Sequence, residues 1–410
     1  MNPPSRATPV ALSQLPPMPS AQPSLPSGAG PRRAASGGAP RVVIDLERIR
    51  HINCGLGRFS LHLGRELLTA SAGLVEPVFF LPPGAERHFP GMPFSRLLVS
   101  PWKKEQVQRM VRPFVQPVLP KPSMALWHTT NQMSRYLPLD GRVPVVLTIH
   151  DFNFLHQCPH GGPTWEKTRK LADMQRKVDR AAAVVTISRF VARDVETLLD
   201  LRGKPLHVVP NGLALPPAAS AQRPAMIPPG PFLLTVGNAL PHKNFHVLLG
   251  LVAELPGRRL VIAGKKATPY GAFLEREVAR LGLSERVVLT GEVSDGDRQW
   301  LYENCEGFAF PSLTEGFGFP VLEAMQCGKP VVMSRRTSLP EVAGDQGYFF
   351  DSFAAASMAA VYRDGVAAFA ADPDAPARAR AHAARFSWAE TARGYLGVYA
   401  GVLRSRQQAA

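Results

Sequence analysis

The chain runs to 410 residues, 45% of them hydrophobic, which is enough for two domains and excludes a single small module. A net charge of +15 suits an anionic membrane surface or a phosphorylated substrate, but the cations stand singly or in pairs such as Lys103-Lys104 and Arg335-Arg336, so no nucleic-acid partner is expected. No apolar run reaches the roughly 20 residues that span a bilayer, and no secretory signal opens the chain, so a cytoplasmic protein is expected.

Residues 1–40 contain ten prolines, three arginines and no acid, a composition that cannot bury enough apolar surface to offset the entropy of ordering, and a disordered leader is expected. Patterning begins with the strand Arg41-Val42-Val43-Ile44-Asp45. Asn53-Cys54-Gly55-Leu56-Gly57-Arg58 follows it and precedes a helix whose Phe59, Leu63 and Leu67 share one face. A glycine turn there lets backbone N–H groups and a helix N-terminus approach an anion, although an ordinary tight βα turn accounts for the same residues. Near-continuous apolar runs at 145–149, 183–187, 232–236, 260–263, 287–289 and 330–333 read as strands buried on both faces. With helical-period stretches between them, they predict parallel sheets in doubly wound α/β domains. Thr148-Ile149-His150-Asp151 closes one of these strands, at the end where ligands of open α/β sheets gather. The loop His156-Gln157-Cys158-Pro159-His160 mimics a metal cluster but lacks a fourth ligand, and no metal is expected there.

Leu215 to Pro231, rich in Pro, Ala and Ser, reads as a linker. It divides an N-terminal domain at 41–224 from a second at 225–385. In the second, Val236-Gly237-Asn238-Ala239-Leu240-Pro241-His242-Lys243-Asn244 places Lys243 just beyond the first strand, where it is positioned to neutralise a diphosphate. The strongest signal is Pro311-Ser312-Leu313-Thr314-Glu315-Gly316-Phe317-Gly318-Phe319-Pro320-Val321-Leu322-Glu323-Ala324-Met325. Pro320 marks a helix start, which puts Glu315 in the preceding loop and Glu323 about one turn inside. Between them the glycines expose N–H groups at a positive helix end, so a phosphate fits there while the two carboxylates accept hydrogen bonds from hydroxyls on either side. Asp295-Gly296-Asp297 after Ser294 reads as a helix cap, and Asp372-Pro373-Asp374 has no strand before it, so neither Asp-x-Asp triplet is read as a metal site. The four cysteines, Cys54, Cys158, Cys305 and Cys327, lack paired spacing and read as small buried hydrophobes in a reducing compartment.

These residues resemble the large family of retaining glycosyltransferases known as family 4 or glycosyl transferases group 1, over nearly all of residues 41–400. The Glu315–Glu323 segment carries most of the likeness, with Gly328-Lys329-Pro330-Val331-Val332, Val208-Val209-Pro210-Asn211-Gly212, Ser338-Leu339-Pro340-Glu341-Val342 and Phe386-Ser387-Trp388 in support. The resemblance implies the GT-B fold, two Rossmann-like doubly wound parallel-sheet domains facing across a cleft, with residues 386–410 forming a terminal helix that crosses back to the N-terminal domain, plus a tail. It implies that Glu315 contacts the transferred sugar and Glu323 the ribose, and that Lys243 with the amides around Gly316, Phe317 and Gly318 holds the diphosphate. Gly57 is expected to face the donor from the N-terminal domain, His150 to meet the sugar and the acceptor, and Asn211 to make a further donor contact. Glu315 and His150 are the catalytic candidates.

The sequence departs from the familiar pattern where a family arginine five residues before the lysine is replaced by Asn238. His242 supplies a basic residue just before Lys243, a feature of mannosyltransferase-like members, which tilts the donor toward GDP-mannose over a UDP-sugar. The expected reaction moves a hexose to a glycan or lipid-linked saccharide, as in lipopolysaccharide synthesis, with retention, no metal and no other cofactor. Peripheral contact with the anionic inner face of a membrane is expected with it. Of the alternatives, a dinucleotide oxidoreductase fails because Ser60 stands where the third glycine of its fingerprint belongs, and the chain is too short for a phosphorylase. A nucleotide-sugar epimerase on the same fold stays open. A non-catalytic binding module would be expected to lose Glu315, His150 or Lys243, and all three are present.

Overall fold

A computed structural model describes residues 38–52, 54–100, 103–156, 164–214, 218–220 and 222–409. Of the leader expected at 1–40, residues 1–37 therefore lie outside the described residues, as do Cys158 and His160 of the metal-like loop. The first sheet has seven strands, β1 (Arg41–Asp45), β2 (Glu76–Leu81), β3 (Ser95–Leu98), β4 (Leu126–Thr129), β5 (Val145–Ile149), β6 (Ala183–Thr186) and β7 (Leu206–Val208). They lie in the order β3-β2-β1-β4-β5-β6-β7, every neighbouring pair parallel. The second sheet has six, β8 (Phe232–Val236), β9 (Arg259–Ala263), β10 (Val287–Gly291), β11 (Gly307–Phe310), β12 (Val331–Ser334) and β13 (Gly347–Phe350), in the order β10-β9-β8-β11-β12-β13, also parallel.

The runs that predicted strands form strands, and burial on both faces is the reason except at β10, an edge strand in which only Val287 is buried. Every residue of β5, β6, β8 and β12 is buried, because helices cover both faces of each sheet. Shorter or interrupted segments such as Leu126-Trp127-His128-Thr129 and Gly307-Phe308-Ala309-Phe310 give no such run, yet they are central strands. Both sheets reverse their strand order beside the first strand, β1/β4 in one and β8/β11 in the other, which opens a crevice at the carboxyl ends of the strands. This is the two-sheet architecture that the resemblance implies.

The chain crosses between the domains twice. Leu213 N–H donates to the Phe386 carbonyl at 2.8 Å where the outgoing and returning segments touch. The last helix, Trp388–Ala409, then packs Ala392, Tyr395, Tyr399 and Val402 into the core built on Val42, Ile44, Phe59 and Leu63. A buried polar chain fixes its register: His128 bridges the Thr148 hydroxyl (2.8 Å, through Nε2) and the Tyr399 hydroxyl (2.7 Å, through Nδ1), and Thr148 also meets the Tyr395 hydroxyl at 3.0 Å. Burial pushes the His128 imidazole down to about 3, so the ring is neutral and serves as one donor and one acceptor.

Candidate functional site

Between the sheets lies a cleft of about 450 Å³, lined from both domains. Its C-terminal wall starts where β8 ends: the chain turns through Gly237 and Asn238 into a short 3-10 turn, Pro241–Lys243, and Asn244 leaves it in the left-handed region at φ 59°. Lys243 Nζ then reaches Glu315 Oε1 at 2.6 Å and lies 5.2 Å from the centre of the Phe310 ring. Glu315 is fixed independently, by the Ser312 hydroxyl donating to the same oxygen at 2.6 Å and by its own N–H donating to Thr337 Oγ1 at 3.0 Å.

The loop from Glu315 enters the helix Phe319–Gln326 with Pro320 in its first turn. Gly318 stands at φ 120°, where any side chain is strained, so glycine is required to aim the helix entrance at the cleft. One turn inside, Glu323 accepts from the Tyr302 hydroxyl at 2.7 Å and from Arg58 Nη1 at 3.0 Å. Gly316 faces the other domain. A Cβ there would stand 2.1 Å from the His150 carbonyl oxygen, so only a glycine permits the two walls to approach this closely. The Ser188 hydroxyl donates to the Gly316 carbonyl at 2.9 Å, and Glu341 accepts from the N–H groups of Arg189 and Phe190, across the same junction.

On the N-terminal wall, His150 follows β5. Its Nε2 lies 2.8 Å from the Thr130 carbonyl, which can only accept, so the proton sits on Nε2 and Nδ1 is left as an acceptor. Burial pushes His150 down to about 4 and keeps it neutral at pH 7, and burial likewise pushes His242 down to about 4. Asp151, beside it, is held above the usual carboxylate range by burial, reinforced by the nearby Glu315 charge.

The cleft therefore brings together nearly all the residues singled out in the sequence: His150, Asn211, Asn238, His242, Lys243, Glu315, Gly316, Phe317, Gly318 and Glu323 all line it. Asn211 is buried with its Oδ1 free of any hydrogen-bond partner. Gly57 is the exception. The glycine segment is not a loop before a helix; the helix itself, Gly55–Ala70, begins there, and Gly55 lines the cleft while Gly57 sits behind it. A Cβ on Gly57 would stand 2.1 Å from the His51 carbonyl oxygen, so this glycine serves close packing in the first turn.

Sequence reasoning assigned no place in the cleft to five charged residues that line it: Arg58, Lys265, Glu292, Asp295 and Arg298. Arg58 comes from the N-terminal helix yet pairs with Glu323 and approaches Asp295 at 3.8 Å. Its signal was weak, a lone arginine beside a glycine turn, because its partners lie more than 230 positions away in the sequence. Lys265 and Arg298 stand in the same cleft as Asn238, where the resemblance led one to look for a second cation. Ser294 caps the helix Asp295–Asn304 through the Asp297 N–H, as its sequence suggests, and Asp372 pairs with Arg378 on the surface. Among the described residues no three His, Cys, Asp or Glu side chains gather into a group that would hold a metal ion. His156 pairs with Asp194 at 2.7 Å, and that carboxylate raises its basicity.

Residues 55–215 match the family described as Glycosyltransferase Family 4, and residues 222–385 match Glycosyl transferases group 1. Each half of the chain thus matches a glycosyltransferase family model. The chain is similar to the serotype-specific mannosyltransferase WbdA of Escherichia coli, 33% identical over 256 residues, which is 58% of this chain and 31% of that protein. It is also similar to the O-antigen chain mannosyltransferase B of Escherichia coli, 29% identical over 258 residues, covering 59% of this chain and 66% of the relative. The chain thus spans about a third of the length of the first of these relatives and about two thirds of the second. Among solved structures, Anabaena HepE in complex with UDP-glucose superposes with a TM-score of 0.64 at 18% identity, over 89% of this chain and 99% of that one, a likeness of fold.

Proposed function

We propose that the chain transfers a hexose, preferentially mannose, from a nucleoside-diphosphate sugar to a hydroxyl of a glycan or lipid-linked saccharide, with retention of configuration and without a metal. One observation carries this reading: Lys243, Glu315, Glu323 and the amides that open the helix Phe319–Gln326 converge in the cleft that also receives His150 and Arg58 from the opposite domain. The names of the two relatives support mannose, and the UDP-glucose in the HepE structure supports a nucleoside-diphosphate donor.

In this reading the diphosphate lies between Lys243, which it shares with Glu315, and the N–H groups at the helix entrance. These stabilise the negative charge that grows on the departing nucleoside diphosphate. Glu323 accepts from ribose hydroxyls, Glu315 from the sugar, and His150, with Nδ1 as its free acceptor, receives a hydrogen bond from a hydroxyl on the acceptor side. The acceptor oxygen attacks on the face from which the diphosphate leaves, its proton passing to the departing phosphate oxygen, and Gly316 against His150 brings the two walls into contact beside it.

The protein works in the cytoplasm, and we place its contact with the anionic inner membrane face at the helix Glu105–Val115 and the turn after it. Met110, Phe114 and Val118 are 74%, 82% and 79% exposed there, with Lys103, Lys104, Arg109 and Lys121 nearby. No helix among the described residues is long and apolar enough to cross a membrane. The donor is tested by a thermal-shift series with GDP-mannose, UDP-glucose, UDP-N-acetylglucosamine and NAD in EDTA, on wild type and Glu323→Ala. A rise with one nucleotide sugar that disappears in the variant supports the reading, and a rise with NAD alone overturns it.

A further inference from the structure

A second cavity, of about 460 Å³, lies wholly within the N-terminal domain and is lined by Arg48, Arg50, His51, Lys104 and Arg135, with Glu47 as its acid. Four permanent cations against one carboxylate leave the lining strongly positive. The single acid is already engaged, by Arg50 at 2.9 Å and more loosely by Arg48 at 3.7 Å. Lys104 and Arg135 have no ion-pair partner among the described residues. Arg48 Nε is shielded from solvent and has no hydrogen-bond acceptor, a cost of about 1–3 kcal/mol for a polar group unless something supplies one.

Position adds to charge. The lining residues follow β1, β2, β3 and β4 at their carboxyl ends, beside the point where the strand order reverses, which is where open parallel sheets take their ligands. The cavity also adjoins the donor cleft on two sides. His51 accepts from the N–H of Cys54, which lines the cleft, and Met133 follows Gln132, whose side chain holds the backbone of both His150 and Asp151.

We propose that this cavity binds a phosphate or diphosphate group carried by the acceptor, so that the acceptor is a phosphorylated molecule anchored at its charged end while its hydroxyl reaches His150. Guanidinium groups suit this task because they bind phosphate oxygens through paired N–H donors. The anion site stands on the cavity alone; its place in the reaction rests on the transfer reading above.

The test uses inorganic pyrophosphate as probe on full-length protein already saturated with GDP or UDP, whichever raises the melting temperature more. Pyrophosphate should raise it further in wild type. That second rise should vanish in the double variant Arg48→Gln/Arg135→Gln, with apparent affinity at least tenfold weaker, while the nucleotide-dependent rise stays as in wild type and shows the variant folded. No second rise in wild type, or an undiminished one in the double variant, overturns the proposal. If neither nucleotide gives a shift, the donor reading fails by itself, and pyrophosphate binding to the nucleotide-free protein still decides the anion site by the same variant.

A parallel arm separates the source of the phosphate, with sedimentation on phosphatidylcholine vesicles with and without phosphatidic acid. Retention that depends on phosphatidic acid and is lost in the double variant assigns a lipid-borne group. Pyrophosphate binding without such retention assigns a soluble one.

Discussion

The C-terminal wall of the cleft draws both of the carboxylates singled out in the sequence from one short stretch, Glu315 to Glu323, beside Lys243, with Lys265, Asp295 and Arg298 added from elsewhere in that domain, whereas the N-terminal wall assembles Arg58, His150 and Asn211 from three distant segments. The first wall is shaped locally, by the φ of Gly318, the proline in the helix's first turn and the Ser312 and Thr337 bonds to Glu315. The second is shaped by the whole domain, including the terminal helix that returns to it. A wall of the second kind registers any loosening of the fold or of the junction between domains.

The largest effect should come from the local wall. Lys243→Ala removes the cation proposed to meet the diphosphate and should lower the rate of sugar transfer about 10²- to 10³-fold, the loss typical of one preorganised charge-stabilising donor. Initial rates with a labelled nucleotide sugar measure it. Asn211→Ala on the opposite wall should cost about tenfold, and an equal or greater loss there would reverse the contrast between the walls.

Acidification probes the domain-shaped wall. Burial pushes His62, His150 and His242 down to about 4 and His128 to about 3, so between the ordinary pKa of 6.5 and pH 4 the unfolded chain binds protons that the fold refuses. Stability should therefore fall as pH drops through that window and go on falling below it, where carboxylates held low by their partners, such as Asp140 beside Arg142, take up protons. Asp45, raised to about 6 by burial, acts in the opposite sense: the fold holds its proton where the unfolded chain releases it, which favours the folded state at the acid end of the same window. Burial raises Asp151 in the same sense, and the four histidines outweigh these two aspartates; three of the four are in the N-terminal domain. A loss on the order of a few kcal/mol by pH 4 is expected from denaturant titrations, and a flat profile from pH 6.5 to 4 would show that these rings are not held neutral.

A smaller effect isolates the returning helix. Tyr399→Phe leaves the buried His128 Nδ1 without its 2.7 Å partner and should cost about 1–3 kcal/mol of stability. Donor binding should be unchanged, because neither residue lines the cleft. Urea unfolding together with a donor titration checks both halves of this expectation.

The same contrast explains what was legible beforehand. The Glu315–Glu323 segment could be read because helix entrance, glycine conformation and carboxylates all follow from adjacent residues. The long Val/Ile/Leu strands could be read because burial on both faces leaves an uninterrupted run. Arg58 could not, since its meaning depends on Glu323 and Asp295 being brought to it by the fold. Nor could the role of His128, which sits in a strand too short and too polar to announce itself and finds Tyr399 only after the chain has crossed back. Gly57 shows the reverse: a glycine read for its approach to a ligand has a packing reason that its neighbours in sequence do not announce, contact with the His51 carbonyl.

Arg58 gives the finest test, because among the described residues it alone joins the two walls through a side-chain ion pair to the Glu315–Glu323 segment. Its side chain is 30% exposed and that of Glu323 17%, so solvent and salt screen the pair and its worth is about 1 kcal/mol. Glu323 keeps the Tyr302 hydrogen bond when the arginine is lost, which preserves the carboxylate's orientation. Arg58→Gln should therefore weaken donor affinity only about three- to tenfold, leave the turnover rate at saturating donor nearly unchanged, and flatten the salt dependence of binding. Calorimetric titration of the donor at two salt concentrations measures all but the rate. Tighter binding in the variant would mean that Arg58 competes with the ribose for Glu323, and the N-terminal wall would then restrain the donor site instead of helping to close it.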